Sequence, residues 1–389
     1  MSNKLLVLAA VLFAMCFADN AMAQRKPVSE MKAERGGVDM ERVGPNTRRV
    51  SPIGRSPYEF WFQENKSKMP TFEGLLIQDA RTEPLEYWDD MGVDGLYIKM
   101  ADYQITDGYI LEIPAKGKTK KKRHLYEAGI YFFGGPGRVV IQQEGNRPQE
   151  VNFGYRTLYS IPLNVEYQIF NDSDEPIRLV AVTSFPFTLN SFNNEEFTNN
   201  NPFAFRDRYN TEEDYTTMSE HTGENDTVTN LVEDALEFEL DSYDHRGQGT
   251  TNMHWKMSGN AIIDMHVSEM PGGAYKKAHR HSSDAFILLT SGEGYSLTWP
   301  EGRYEDRVRV DWHEGTIFVP PIYWYHQHLN PHPTDSARYL AINAPPIVIN
   351  LGLRFNNQLE EDLPQIKEEF EAEVILRRAE HMQNAEEAE

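Results

Sequence analysis

"GGAYKKAHRHSSDAFILLTSGEG", residues 272–294, decides how this chain is read. In a strand, residues i and i+2 point to the same face, so His279 and His281 converge on one point. The same parity places Tyr275 and Lys277 beside them. A later stretch, "GTIFVPPIYWYHQHLNP" (315–331), carries His326 and His328 at the same two-residue spacing. Six of the twelve histidines fall between 279 and 332, so the pairing is concentrated in one small region. Three inward imidazoles from adjacent strands bind a divalent first-row metal well. A lone buried histidine is more simply a hydrogen-bonded core residue; two such pairs favour a metal.

Outward from these segments the pattern is β-rich. Residues 75–188 contain "GLYIKM", "GYILEIP", "GIYFFGG", "GRVVIQQ", "YSIPLNVEYQIFN" and "IRLVAVTSF", each bounded by turn residues. Short strands with such punctuation indicate a sandwich or barrel. Residues 189–252 turn Asn-rich and acidic and read as an interdomain linker, with "VTNLVEDALEF" suited to a short helix. Strand-like runs return over 253–350. The tail, 351–389, is rich in Glu, Leu, Ala and Arg and reads as one or two acidic amphipathic helices. Two similar β halves suggest an internal duplication.

The first 23 residues have the pattern of a cleaved secretory signal: Lys4, an apolar run over 5–18, and Ala21-Met22-Ala23. Residues 24–74 read as a polar arm. The expectation is export, to a bacterial periplasm. Cys16 is the only cysteine and lies inside the signal, so the mature part has no disulfide or thiolate chemistry. With 60 acidic against 38 basic residues the net charge is −22. That balance argues against nucleic acid and anionic lipid as partners, and no later segment is apolar enough to insert in a membrane. The basic run at 116–123 reads as a solvated edge or loop.

These residues resemble the cupin superfamily. Its first motif, G-x5-H-x-H-x3/4-E-x6-G, is matched by Gly273, His279, His281 and Gly292, with Ala285 in the glutamate slot. Its second, G-x5-P-x-G-x2-H-x3-N, is matched by Gly315, Pro321, His326 and Asn330, with Tyr323 for the glycine. The missing Glu and the "PPIYWYHQHLN" segment are similar to the gentisate 1,2-dioxygenase branch. The resemblance implies an all-β fold of two double-stranded β-helix (jelly-roll) barrels with a helical tail outside. It implies one divalent metal on His279, His281 and His326, with Fe(II) favoured and Mn, Zn or Cu as alternatives. Asp284 stands out of register with the lost glutamate and remains open as a distorted fourth ligand.

His328 is the candidate for acid/base work or a substrate hydrogen bond, a satisfied core histidine being the equal alternative. Tyr275, Lys277, Tyr323 and Trp324 are candidate pocket residues. His313 reads as solvent-facing at a turn, while His254, His266 and His332 lack convergent spacing and receive no role. In the first half, Glu127 and Gly134 fit the end of the first motif, but the histidine slots fall among 120–123. Pro162, Asn164 and Asn171 keep the second motif, with Tyr167 in the histidine slot. That barrel reads as structural.

The favoured function is a dioxygenase-like enzyme acting on a small anionic, hydroxy-aromatic or enolic molecule. Outside the cytoplasm Zn(II) or Cu(II) would compete for an imidazole site. A metal-assisted lyase, isomerase or hydrolase therefore stays open, as does a non-catalytic cupin binding a small acidic molecule or sugar. The tail's apolar residues suit docking on a barrel or a second subunit, which admits a homodimer.

Overall fold

The computed structural model describes residues 56–388, so the signal segment and most of the arm lie outside the described residues. One compact unit ends at Trp61; its described residues open the helix Pro57–Asn65. The second unit, from Phe62 onward, contains two β-barrels and the tail helix.

In the first barrel a large sheet runs Thr71–Gly74, Val93–Met100, Asp107–Ile113, Ile177–Thr183, Ala128–Phe132, Leu158–Ile161, Leu231–Val232. A small sheet, Glu166–Asn171, Gly137–Gln142, Gln149–Phe153, closes it. The second barrel repeats the plan. Its large sheet is centred on Thr251–Lys256, Asp264–Met270, Ala337–Asn343 and Ala285–Ser291. Its small sheet contains Val308–His313, Glu293–Trp299, Tyr325–Asn330, His279–His281 and Asn356–Gln358.

The two large sheets pack face to face. Tyr131, Leu158 and Val180 of the first share one apolar layer with Met265, Leu288 and Leu340 of the second. The opposite faces of the second barrel's strands fill its interior, with Ile287, Leu289, Trp312, Phe318 and Ala341. A strand such as "AFILLTS" is therefore apolar on both faces, which explains an unbroken run where a half-exposed strand would alternate. The Met265 side chain of the second barrel packs onto Gly129 of the first, where an added Cβ would lie 2.4 Å from Met265 Cε.

Each barrel also borrows from its neighbour's leading segment. Leu76–Ile77 pairs with Ile317–Phe318 of the second barrel, while Leu231–Val232 pairs with Leu158–Ile161 of the first. The stretch suited to a linker helix is thus edge strand followed by turns. Asp226–Thr229 joins the second barrel and Leu231–Val232 the first, and ladder pairing satisfies backbone groups that an isolated short helix would leave open.

Matched hydrogen bonds mark the duplication. Asn171 Nδ2 donates to the carbonyls of Ile113, Pro114 and Glu175, and Asn330 Nδ2 to those of Met270, Pro271 and Asp335. Arg178 pairs with Glu112 and caps the carbonyls of Ala80 and Glu83; Arg338 pairs with Glu269 and caps Ala235 and Phe238. The motif asparagines are corner clamps.

The tail opens with the strand Asn356–Gln358, paired with His279–His281, and continues as one helix, Pro364–Ala388. Ile366, Phe370 and Val374 pack on Tyr295, Leu297, Trp299 and Tyr325, the outer face of the small sheet. No described helix is long and apolar enough to cross a membrane. The lysines of the basic run lie beside the first barrel, where Lys120, Lys121 and Lys122 pair with Asp89, Glu166 and Asp90.

Candidate metal centre

His279 and His326 are cross-strand partners. Tyr325 and Leu329 pack outward under the tail helix, so the alternate residues His326 and His328 turn into the barrel. One ligand atom from each of His279, His281 and His326 lies within 4.8 Å of the others. Ring centroids are 4.3 Å apart for His279 and His326 and 4.9 Å for His281 and His326.

The tautomers follow from the hydrogen bonds. Nδ1 of His279 lies 3.1 Å from the Lys277 carbonyl, that of His281 2.9 Å from the Ser283 carbonyl, and that of His326 3.3 Å from the Trp324 carbonyl. A carbonyl only accepts, so each Nδ1 carries the proton and each Nε2 keeps its lone pair. Burial pushes His281 down to about 4 and holds His279 and His326 well below the usual histidine range. Three neutral imidazoles with free lone pairs are a donor set for a divalent first-row ion.

His328 belongs to the same interior but not to the cluster. Its Nδ1 lies 2.8 Å from Ser296 Oγ, which also accepts from Trp312 Nε1 at 3.0 Å. Burial, with Lys276 as the next cause, pushes it down to about 3.

Asp284 does not point at the centre. Its Oδ2 accepts the backbone N–H of Ile105 at 2.9 Å and of Thr106 at 2.8 Å, both in the first barrel. Glu127 does the reciprocal work: its carboxylate accepts from the backbone of Ala261, Ile262 and Ile263 in the second barrel. Each of these two carboxylates precedes the corresponding strand and clamps the opposite barrel. At the glutamate slot Ala285 offers only a methyl group, in register with Asn343.

Tyr275 and Lys277 are the correction on the histidine side. Tyr275 donates to Asp362 and packs against Phe370, and Lys277 pairs with Glu360, all in the tail region. The strand is broken between Ala274–Tyr275 and His279–His281, and that break shifts the parity. Lys276 is therefore the buried residue: its Nζ donates to Ser268 Oγ at 2.9 Å and Tyr339 Oη at 3.0 Å. Among the described residues no carboxylate pairs with it, and burial lowers its pKa. Half-buried Arg246, bonded to Gln358, is a second such cation, and Gln358 is the strand partner of His279.

Tyr323 is 52 % exposed with φ of +65°, its backbone N–H bonded to the His281 carbonyl, so it stands at the rim rather than as a pocket wall. Trp324 is half-buried and contributes its carbonyl to His326. His313 is exposed.

In the first barrel Tyr167 occupies the corresponding histidine position and its hydroxyl meets His124 Nε2 at 3.1 Å. His124 stacks on Tyr126 with ring centroids 3.7 Å apart. The sequence gives His254 and His266 no role, yet the structure brings them together with Asp264. A hairpin about residue 260 places 254 opposite 266, which is the signal that strand pairing would have supplied.

No protein-family profile and no curated protein matches the chain in sequence. In structure the fold is that of a bicupin. It is similar to a two-residue deletion mutant of the Bacillus subtilis oxalate decarboxylase, with TM-score 0.50 and 12% identity over 82% of this chain and 89% of that one. A salicylate 1,2-dioxygenase from Pseudaminobacter salicylatoxidans aligns with TM-score 0.49 and 12% identity, over 66% of this chain and 75% of that one.

Proposed function

We propose that this chain is a metal-dependent oxygenase of the three-histidine cupin type, acting on a small anionic, hydroxy-aromatic or enolic molecule. His279, His281 and His326 would hold one divalent ion, Fe(II) by preference. The observation that carries the reading is the convergence of three neutral imidazoles where the carboxylate position is Ala285. When bound, the ion supplies an uncompensated 2+ charge to attract an oxyanion and a centre for O₂ activation. Lys276 and Arg246, cations without a carboxylate partner among the described residues, favour an acidic substrate. His328, held through Nδ1 by the Ser296 hydroxyl, would exchange a hydrogen bond or a proton with a substrate oxygen through Nε2.

The test loads the full chain anaerobically with Fe(II), then adds O₂ with a panel of hydroxy-aromatic acids, diketones and short dicarboxylic acids. Oxygen uptake that His281→Ala abolishes supports the reading. No uptake above that control across the panel overturns it, and turnover without O₂ would instead favour a Lewis-acid reaction. Metal content, compared between wild type and His326→Ala, checks the ligand set separately.

A further inference from the structure

The second histidine group lies on the paired strands Thr251–Lys256 and Asp264–Met270. His254 stands directly across the ladder from His266, and Asp264 is two residues before it, so all three share one face. The other face carries Met253, Trp255, Met265 and Val267 into the layer between the barrels. The histidines and the carboxylate therefore turn toward the interior of the second barrel. There the His266 ring lies 6.3 Å from that of Tyr339, which is 5.0 Å from His328.

One ligand atom from each of His254, Asp264 and His266 lies within 4.8 Å of the other two. The two rings are 4.7 Å apart, and His254 Nδ1 is 2.8 Å from Asp264 Oδ2. A histidine–aspartate hydrogen bond accounts for that pair alone. It leaves His266 Nδ1 buried with no hydrogen-bond partner. Asn343, the cross-strand neighbour of Asp264, likewise has a buried Oδ1 with no partner. An orphaned buried polar atom is destabilising, so an imidazole nitrogen and an amide oxygen left open beside a carboxylate suit a bound cation.

We propose that His254, Asp264 and His266 form a second site for a divalent first-row transition ion, distinct from the three-histidine centre. Two imidazole nitrogens favour such an ion over Mg²⁺ or Ca²⁺, which prefer oxygen. Asn343 Oδ1 offers a further neutral oxygen. Asp264 lowers the charge of the occupied site to 1+, against 2+ at the centre formed by histidines alone. His254, with a side chain 26% exposed, is the point of entry from solvent. The barrel would thus carry two ions of different charge, facing a common interior.

The proposal does not depend on the function of the other site, and the test separates them. The full chain is stripped with a chelator, saturated with Co(II) and freed of loose metal by gel filtration. Wild type is expected to retain two equivalents, and His266→Ala and His254→Gln one each. His326→Ala is expected to keep the equivalent that His266→Ala loses. A wild type with one equivalent, removed by His326→Ala and untouched by His266→Ala, overturns the proposal. So does loss of both equivalents in a folded His266→Ala variant. One equivalent lost with His266→Ala but kept in His326→Ala supports this site while refuting the other. Circular dichroism checks folding, and Asp264→Asn, which keeps the side-chain volume, replaces any alanine variant that does not fold.

Discussion

Asp284 offers a prediction in which charge and hydrogen bonding can be separated. It is fully buried, and burial pushes it up to about 6 from 3.8 despite the N–H groups of Thr106 and Ile105. The folded protein therefore binds this proton more tightly than the unfolded chain. Its contribution to stability is greatest below about pH 4, declines as pH rises to about 6, and is flat above. The shift corresponds to about 3 kcal/mol. Asp284→Asn keeps an acceptor for the two N–H groups without the charge. It should match wild type near pH 4 and exceed it by up to about 3 kcal/mol at pH 8. Asp284→Ala leaves both N–H groups without an acceptor, which costs about 2–5 kcal/mol relative to Asn at any pH. Urea unfolding between pH 4.5 and 8, followed by circular dichroism and tryptophan fluorescence, measures both contrasts. Equal stability of the Asn and Ala variants would refute the clamp. An Asn advantage that does not grow with pH would refute the buried charge. Neither variant should change Co(II) stoichiometry, since the carboxylate faces the first barrel.

The buried histidines act in the opposite sense. Burial holds His124 and His281 at about 4 and His328 at about 3 in the folded protein. Unfolded histidine titrates near 6.5, so their contribution is present above that pH and lost as pH falls, each by about 2 kcal/mol at pH 5. In metal-free protein, His124→Gln should flatten the acid limb of a stability–pH profile by that amount, and an unchanged slope would count against it. Gly129→Ala should cost about 1–3 kcal/mol by crowding Met265. A double-mutant cycle with Met265→Ala should show coupling, and strict additivity would mean the contact is relieved elsewhere. Phe370→Ala should loosen the tail helix from the small sheet, by at most about 3–5 kcal/mol. The readout is faster tryptic cleavage at Arg377 and Arg378, and an unchanged rate would place the docking energy elsewhere.

Local sequence by itself determined the two barrels and the three-histidine cluster. Strand parity, turn punctuation and the H-x-H pairs act over a few residues, and such short-range geometry survives without knowledge of the partner strands. It failed wherever a strand breaks or a partner is distant. Continuous parity places Tyr275 and Lys277 inward, and the interruption before His279 exchanges them for Lys276. Asp284 and Glu127, read against a ligand slot, turn to the backbone of the opposite barrel, a contact that exists only once the two large sheets have packed. His254, Asp264 and His266 are scattered in sequence and become one cluster through antiparallel register. Which face a residue presents is local physics; what waits on that face is decided by the tertiary structure, because strand pairing and barrel packing join segments far apart in the chain.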